Sequence, residues 1–170
     1  ASLTLTEEFA SACDQQQVIW LRLGRDAQVT HGRNSLSSTP NHWQFLSVQI
    51  NTTGHYSLHN HAVASSLRRQ DIQIQLCGDG ASANLCGAAM APQRGNLDQQ
   101  VTMEHLSANT TSQQTFHNIV ADRGKSTFNG RIHIHAGARN SNANLSNKNI
   151  SLGANATINT KPELEIYNDD

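Results

Sequence analysis

Apolar and polar residues alternate in short runs along much of the chain, which is the pattern of half-buried β-strands. Residues 43–50 alternate strictly, and one face of this run carries Leu46 and Val48. Residues 18–23 read as another strand, and residues 24–26 supply the Gly and Asp of a turn. The pattern therefore predicts a mainly β protein built from short strands.

The alternating segments recur every 26 to 31 residues. Two series of apolar positions have this spacing: Val48, Ile74, Met103 and Ile132, and Leu58, Leu85, Phe116 and Leu145. One such repeat cannot bury its own apolar face, so successive repeats must stack, with each strand parallel to its equivalent in the next coil. The period favours an all-β parallel β-helix forming a single domain over residues 1–170. A β-sandwich is the alternative, although it does not require this period.

Leu3–Ala12 is the one segment for which we predict a short helix, because Thr6 could cap it and Glu7 and Glu8 would fall in its first turn. Elsewhere the composition suits strands and tight turns: 17 of the 170 residues are Asn, and only 15% are charged. Asn tolerates left-handed backbone angles and can bond neighbouring turns, so we expect it at the corners between strands. Gly78–Gly80 is likewise predicted to be a corner.

Charge and cysteine content exclude several classes of function. The net charge is −1 and the basic residues form no cluster larger than Arg68–Arg69, so no nucleic-acid partner is expected. No apolar stretch approaches the roughly 20 residues of a membrane span. Three sparse cysteines, Cys13, Cys77 and Cys86, favour a reducing, cytoplasmic compartment. We predict that Cys77 and Cys86 are small buried thiols.

Histidine is the main candidate for chemistry. His133 and His135 share one face of a strand, as do His59 and His61, and either pair could hold a metal if a neighbouring repeat supplied a third ligand. The sequence shows no Cys, Asp or Glu at ligand spacing beside either pair. Both pairs are therefore predicted to be polar surface residues, and no catalytic, cofactor-binding or metal-binding residue is assigned.

An enzyme that acts on polysaccharides is the alternative class, because many parallel β-helices have that activity. Such an enzyme needs clustered acidic residues and exposed aromatic residues along a groove, and aromatic residues make up only 5% of this chain. Glu163 and Glu165 share a strand face near Asp169 and Asp170, but no partner for them is identifiable. A solvated acidic edge is the favoured interpretation.

Four parts of the chain carry recognisable motifs: residues 67–72 with 76–81, residues 101–105 leading into 109–112, Gly124–Ile132 with its Phe-x-Gly-x-Ile core, and Lys161–Asp170. Together these segments resemble the SufB/SufD family of iron–sulfur cluster assembly proteins. The last segment, with its Lys-Pro-x-Leu-Glu-Ile-Tyr form, leans toward the SufD branch over SufB itself. The resemblance is clear from about Leu67 to Asp170 and looser before it.

Membership in this family implies a right-handed parallel β-helix that acts as a scaffold and not as an enzyme. It implies SufB-like and SufC-like partner subunits in a cytoplasmic SufBCD complex that handles iron–sulfur clusters and, through SufC, ATP. The family continues beyond the position of Asp170 with a Cys-x-His-Gly segment, so this chain is expected to be a truncated piece of a longer protein. With three cysteines and no ligand spacing, it is expected to bind no cluster, which needs about four thiolates.

Two further expectations concern particular segments. Residues 138–144 depart from the family pattern, since Arg139, Asn142 and Asn144 replace Gln, Asp and Gln, which puts the hydrogen bonds of that loop in doubt. A β-helix also has unpaired strand edges at its ends. We therefore expect self-association through the coil that contains Leu164 and Ile166, unless the Leu3–Ala12 segment folds back to cap it.

Overall fold

The computed structural model describes residues 1–9, 13–36, 41–64 and 66–167, which contain twelve β-strands and no helix. None of these residues belongs to a helix that could cross a membrane. The strands are β1 (Ser2–Glu8), β2 (Gln15–Leu23), β3 (Gln28–Ser35), β4 (Asn41–Ile50), β5 (His55–Val63), β6 (Leu67–Leu76), β7 (Ser82–Ala91), β8 (Asn96–His105), β9 (Thr111–Ala121), β10 (Lys125–Ile134), β11 (Asn142–Leu152) and β12 (Thr157–Ile166).

Successive strands alternate between two six-stranded sheets. The odd sheet has the order β1-β3-β5-β7-β9-β11, and the even sheet has the order β12-β10-β8-β6-β4-β2. Every strand is parallel to its neighbour one coil away. The predicted all-β parallel β-helix is confirmed as a two-sheet β-solenoid, while its right-handedness stays a prediction.

The first apolar series is confirmed as one interior column. Val48 pairs with Ile74, Ile74 with Met103, and Met103 with Ile132, and all four side chains are buried. The period of the sequence therefore equals one coil, because each strand of the even sheet lies directly beside its equivalent in the next repeat.

The second apolar series is wrong at one position. Leu58 pairs with Leu85, but the next residue in this column is the buried Gln114, which lies beside Leu145. Phe116 lies two residues further along β9 and pairs with Gly87. The prediction from hydrophobicity chose Phe116 because the interior position of this column is occupied by a polar residue, Gln114. The ring of Phe116 instead fills the space left by Gly87.

The predicted N-terminal helix is also wrong within the described residues, because residues 2–8 form β1 at the edge of the odd sheet. The alternation of Leu3 and Leu5 lets β1 pair in register with β3, which satisfies backbone groups that a short helix would leave open at its ends. Residues 10–12 lie outside the described residues. Since β1 sits at the opposite edge from β11, it does not cap the coil that contains Leu164.

Corners repeat as regularly as strands, although most Asn residues lie within strands and, of the described Asn residues, only Asn109 and Asn140 have positive φ. Asp26, Thr53, Gly80, Asn109 and Asn140 all have positive φ. The backbone N–H groups of the first four donate to carbonyl oxygens of the next coil, as from Thr53 to Asp79 at 2.9 Å. The predicted corner at Gly78–Gly80 is confirmed, and a Cβ at Gly78 would lie 1.9 Å from the backbone nitrogen of Thr52.

The loop at residues 138–144 makes coil-to-coil hydrogen bonds despite its unusual residues. Asn140 Nδ2 donates to Asn109 Oδ1 at 3.3 Å, and the Ser141 and Thr110 hydroxyls lie 2.8 Å apart. Asn144 Oδ1 accepts from Gln113 at 3.1 Å. Of the other two substituted residues, the Arg139 carbonyl accepts from Asn109 N–H at 2.7 Å and Asn142 N–H donates to the Thr110 carbonyl at 2.9 Å, so this loop keeps its contacts with the preceding coil.

Candidate functional site

The outer face of the even sheet brings together Glu104 from β8 and His133 and His135 from the end of β10. Ile132 and Ile134 are buried, so strand alternation turns His133 and His135 outward. The register places His133 directly beside Glu104. All three side chains are half-buried.

The three side chains lie close enough to share one ion. One ligand atom of each lies within 4.8 Å of the other two. The His133 and His135 rings stack with centroids 3.8 Å apart, and His135 Nε2 lies 3.9 Å from Glu104 Oε1. That separation is too long for a hydrogen bond. His135 Nε2 is buried and has no hydrogen-bond partner among the described residues.

Neighbouring side chains hold the carboxylate and one ring in place. Gln75 Nε2 donates to Glu104 Oε2 at 2.9 Å, and Gln49 in turn donates to Gln75 at 3.0 Å. The ring of Tyr167 lies 5.0 Å from that of His133. This chain of amides occupies one oxygen of Glu104 and leaves Oε1 directed at His135.

The sequence predicts that His133 and His135 share a face, and this is confirmed. The prediction that no acidic residue stands at ligand spacing is wrong, because Glu104 lies 29 residues before His133 and that distance is one coil. The repeat alignment contained the signal, since it sets Met103–His105 beside Ile132–Ile134. Ligand spacing along one strand was the wrong measure for a stacked fold.

The second histidine pair gathers no such cluster in the described part of the chain. His59 and His61 are exposed on the outer face of the odd sheet, and His61 Nδ1 lies 3.0 Å from Asn34 Oδ1. Cys77 and Cys86 are half-buried free thiols, more exposed than predicted. Burial raises the pKa of Cys77, which keeps that thiol protonated at neutral pH.

Inside the solenoid, the first coils hold a charged network that the sequence did not indicate. Arg33 Nε donates to Glu7 Oε2 at 2.7 Å, and His31 bridges Glu7 and the Tyr56 hydroxyl at 2.9 and 2.7 Å. Burial alone would raise the pKa of Glu7, but the hydrogen bond with His31 and the charge of Arg33 lower it below its usual value. Burial raises the pKa of Tyr56.

Two more buried groups complete this interior network. Arg68 Nη1 lies 2.8 Å from His42 Nδ1, and Arg68 Nε donates to the carbonyl of Val63 at 2.9 Å. Burial lowers the pKa of Arg68 to about 10. Burial, together with the charge of Arg68, lowers the pKa of His42 to about 4, so His42 is neutral near pH 7 and accepts from the guanidinium. These groups are paired inside the fold and offer no open reaction site.

Two surface grooves test the polysaccharide alternative. One of about 580 Å³ crosses the odd sheet and is lined mainly by apolar residues such as Met90, Ile119 and Ile150, without a carboxylate. Another of about 590 Å³ lies at a corner, where Asp122 is the only acidic residue among the described residues that line it. The described lining of neither groove contains the paired acids that glycoside hydrolysis requires.

At the terminal acidic strand, Glu163 and Glu165 have partners that the sequence did not reveal. Lys161 Nζ lies 2.5 Å from Glu163, and Arg131 Nη2 lies 2.7 Å from Glu165. The hydrogen bond from Arg131 lowers the pKa of Glu165. Asp169 and Asp170 lie outside the described residues. Glu163 and Glu165 thus each form a surface ion pair with a basic side chain.

Comparison with known proteins gives a consistent set of matches. The family model "SUF system FeS cluster assembly, SufBD core domain" matches residues 1–170. The iron–sulfur cluster assembly protein SufD of Escherichia coli is 30% identical over 112 residues, which cover 66% of this chain and 26% of that protein.

Two other relatives match over more of the chain. An iron–sulfur cluster assembly SufBD family protein of Synechocystis is 27% identical over 149 residues, which cover 87% of this chain and 33% of that protein. The chloroplastic protein ABCI7 of Arabidopsis thaliana is 25% identical over 178 residues, which cover 98% of this chain and 36% of that protein. The chain thus spans about a quarter to a third of these relatives.

Proposed function

Because the chain belongs to the SufBD core family of the SUF iron–sulfur cluster assembly system, we propose that it is the β-helical part of a SufD-type scaffold subunit without catalytic residues of its own. The match of the family model over residues 1–170 carries this proposal. The Escherichia coli relative is named SufD, and the segment Lys161–Tyr167 has the SufD-like form.

SufB-like and SufC-like subunits are the proposed partners, in a cytoplasmic complex. The edge formed by β11 and β12 is the proposed place where further strands pair. Leu164 continues an interior column beside Ile132, yet it is 57% exposed, and Ile166 and Leu152 are similarly exposed. Open backbone groups and apolar side chains at this edge suit the addition of further strands, from the rest of the same protein or from a second β-helix.

The proposed scaffold holds no resident iron–sulfur cluster within residues 1–170. Among the described residues, the only cluster of metal-ligating side chains contains no cysteine. A cluster typically needs about four thiolates, so cluster assembly is assigned to the complex and nucleotide binding to its SufC-like subunit.

Co-purification of the full-length protein with SufB-type and SufC-type subunits tests the proposal. We expect one stable complex by light scattering, and we expect the protein to restore cluster assembly in cells that lack their SufD-type subunit. Restoration only in cells that lack the SufB-type subunit would assign it to that branch. Failure to form any complex and to restore either strain would overturn the scaffold function.

A matched pair of variants tests the edge. Leu164→Lys places a charge on the exposed apolar edge, whereas Leu3→Lys places one on β1 at the other end of the solenoid, where Leu3 is 58% exposed. We expect Leu164→Lys to weaken complex formation at least tenfold and Leu3→Lys to leave it unchanged. Equal affinities for both variants would contradict docking through this edge. Concentration-dependent dimers of the protein alone that Leu164→Lys abolishes would assign the edge to self-association.

A further inference from the structure

The cluster on the outer face of the even sheet has the composition of a metal site. We propose that Glu104, His133 and His135 together bind one divalent first-row transition-metal ion. Two imidazole nitrogens and one carboxylate oxygen suit Zn²⁺, Co²⁺ or Fe²⁺, whereas Mg²⁺ and Ca²⁺ prefer oxygen ligands. Three protein ligands leave the remaining coordination positions open to water or to a further donor.

The geometry fits a mononuclear site. Zinc bonds to nitrogen and oxygen are about 2.0–2.2 Å long, so two ligand atoms of one ion lie at most about 4.4 Å apart. The ligand atoms here lie within 4.8 Å of one another, and His135 Nε2 and Glu104 Oε1 are 3.9 Å apart. Strand pairing fixes the backbone of His133 beside Glu104, and the N–H of His135 donates to the His105 carbonyl at 3.0 Å, so binding would need only side-chain rotations, among them one that unstacks the two imidazole rings.

A second, independent observation points to a ligand at this place. His135 Nε2 is buried but makes no hydrogen bond to any described residue. A buried polar atom without a partner is unfavourable, and a bound cation would supply the missing partner. The nearest acceptor is the oxygen of Glu104 that Gln75 leaves free.

Gln75 has the role of a positioning residue in this proposal. Its amide donates to Glu104 Oε2 at 2.9 Å and is itself held by Gln49. Groups that orient metal ligands in this way typically contribute 10- to 100-fold to metal affinity. The site is therefore built from four adjacent strands of the even sheet, β4, β6, β8 and β10 with its C-terminal extension.

Titration of the full-length, untagged, chelator-treated protein with Co²⁺ tests the site. The matched variants are Glu104→Gln and His135→Gln, which nearly keep the side-chain size, and the control is the double variant His59→Gln/His61→Gln. We expect the unsubstituted protein to bind one equivalent of Co²⁺ with visible d–d absorption. The two site variants should bind Co²⁺ at least 100-fold more weakly. The control should bind Co²⁺ as the unsubstituted protein does, and Gln75→Ala should weaken Co²⁺ binding about 10-fold.

Two results would overturn the proposal. One is a Co²⁺ titration of His135→Gln that matches the unsubstituted protein while thermal unfolding shows the variant to be folded. The other is anomalous diffraction from Zn²⁺-soaked crystals that places no ion between Glu104 and His135. This site does not depend on the scaffold function, since metal binding to the isolated full-length protein is measured without any partner subunit.

Discussion

The interior of the solenoid has two halves of different character, and each half lies toward a different end of the strands. The apolar half holds the ends of the even strands and the starts of the odd strands, where Leu46, Ile74 and Leu85 are completely buried. The polar half holds the starts of the even strands and the ends of the odd strands, where Gln44, Arg68 and other polar groups are just as buried, beside a small apolar cluster built mainly of alanines. Apolar and polar side chains are thus equally buried in the same coils.

Hydrogen bonds between coils make the polar half stable. Gln70 Nε2 donates to Gln44 Oε1 at 2.8 Å, and Gln99 Nε2 donates to Gln70 Oε1 at 3.1 Å. Across the interior, Asn60 Nδ2 donates to Gln70 Oε1 at 3.0 Å. An amide has both donors and acceptors, so identical groups can stack from coil to coil and satisfy one another.

The difference shows what each half can tolerate. The apolar half is stabilised by burial that does not depend on the direction of a side chain. Another apolar side chain of similar volume that packs well can therefore replace the original one. The polar half depends on direction, because a buried group that loses its partner costs more than the hydrogen bond itself contributed. Substitutions in the two halves should therefore fail for different reasons.

The largest effect is expected in the apolar half. Ile74→Ala removes a side chain that is 0% exposed in the interior column and leaves a cavity, which should lower the free energy of unfolding by about 4 kcal/mol. Chemical denaturation measures it. Gln73→Ala, on the exposed face of the same strand, is the control and should change stability by less than about 0.5 kcal/mol. A loss below 1 kcal/mol for Ile74→Ala would mean that this column is not tightly packed.

Acid should destabilise both halves through one buried histidine in each. Burial lowers the pKa of His42 in the polar half and of His105 in the apolar half to about 4, from 6.5. Unfolded imidazoles take up a proton near pH 6.5, whereas these stay neutral until about pH 4. The contribution of these histidines to the free energy of unfolding is therefore fully present above pH 6.5. It decreases as the pH falls toward 4, by up to about 3 kcal/mol for each histidine.

Denaturation at pH 7 and pH 4.5 measures this loss. Gln is neutral at both values, so His42→Gln and His105→Gln should each reduce the loss, and a His42/His105 double substitution should reduce it further. The exposed His59→Gln is the control and should not alter it. If the loss is the same with and without His42 and His105, acid acts elsewhere in the fold.

In the polar half, a more hydrophobic residue should destabilise the protein. Gln70→Leu keeps the side-chain volume but leaves the amides of Gln44, Asn60 and Gln99 each short of a partner. We expect a loss of about 2 kcal/mol in chemical denaturation, because the buried groups pay their desolvation without compensation. Gln73→Leu on the outer face should be nearly neutral. Stabilisation by Gln70→Leu would show that the amide stack has no structural role.

The sequence predicted the apolar half of the fold well and the polar half poorly. A period of one coil is visible wherever apolar residues recur, which is why the column through Val48 and Ile132 was predicted correctly. Buried Gln70 and Arg33 look like surface residues in a sequence, because their burial depends on partners in other coils. β1 was mistaken for a helix because Thr6 and Glu7 resemble a cap, whereas Glu7 in fact pairs with His31 and Arg33.

The metal-ligating cluster was half predictable for a related reason. Strand alternation alone placed His133 and His135 on one face, but the third ligand depended on the register between strands. That register sets Glu104 beside His133. The spacing of residues within one strand cannot reveal this pairing. The repeat period can, because residues one period apart lie side by side in neighbouring coils. Orientation of the carboxylate by Gln75 is a side-chain detail that the sequence pattern does not encode.

The smallest effect is expected at the boundary between the halves, where Gly87 and Phe116 pair across β7 and β9. A Cβ at Gly87 would lie 2.2 Å from Phe116 Cδ1, so Gly87→Ala should force the ring out of place and cost about 1–2 kcal/mol in chemical denaturation. Phe116→Leu vacates that space, and the double variant should be more stable than the sum of the single effects by about 1 kcal/mol. Strictly additive effects would contradict the register that places Phe116 beside Gly87. Gly24→Ala is the matched control, because an added Cβ there meets no atom within 4 Å.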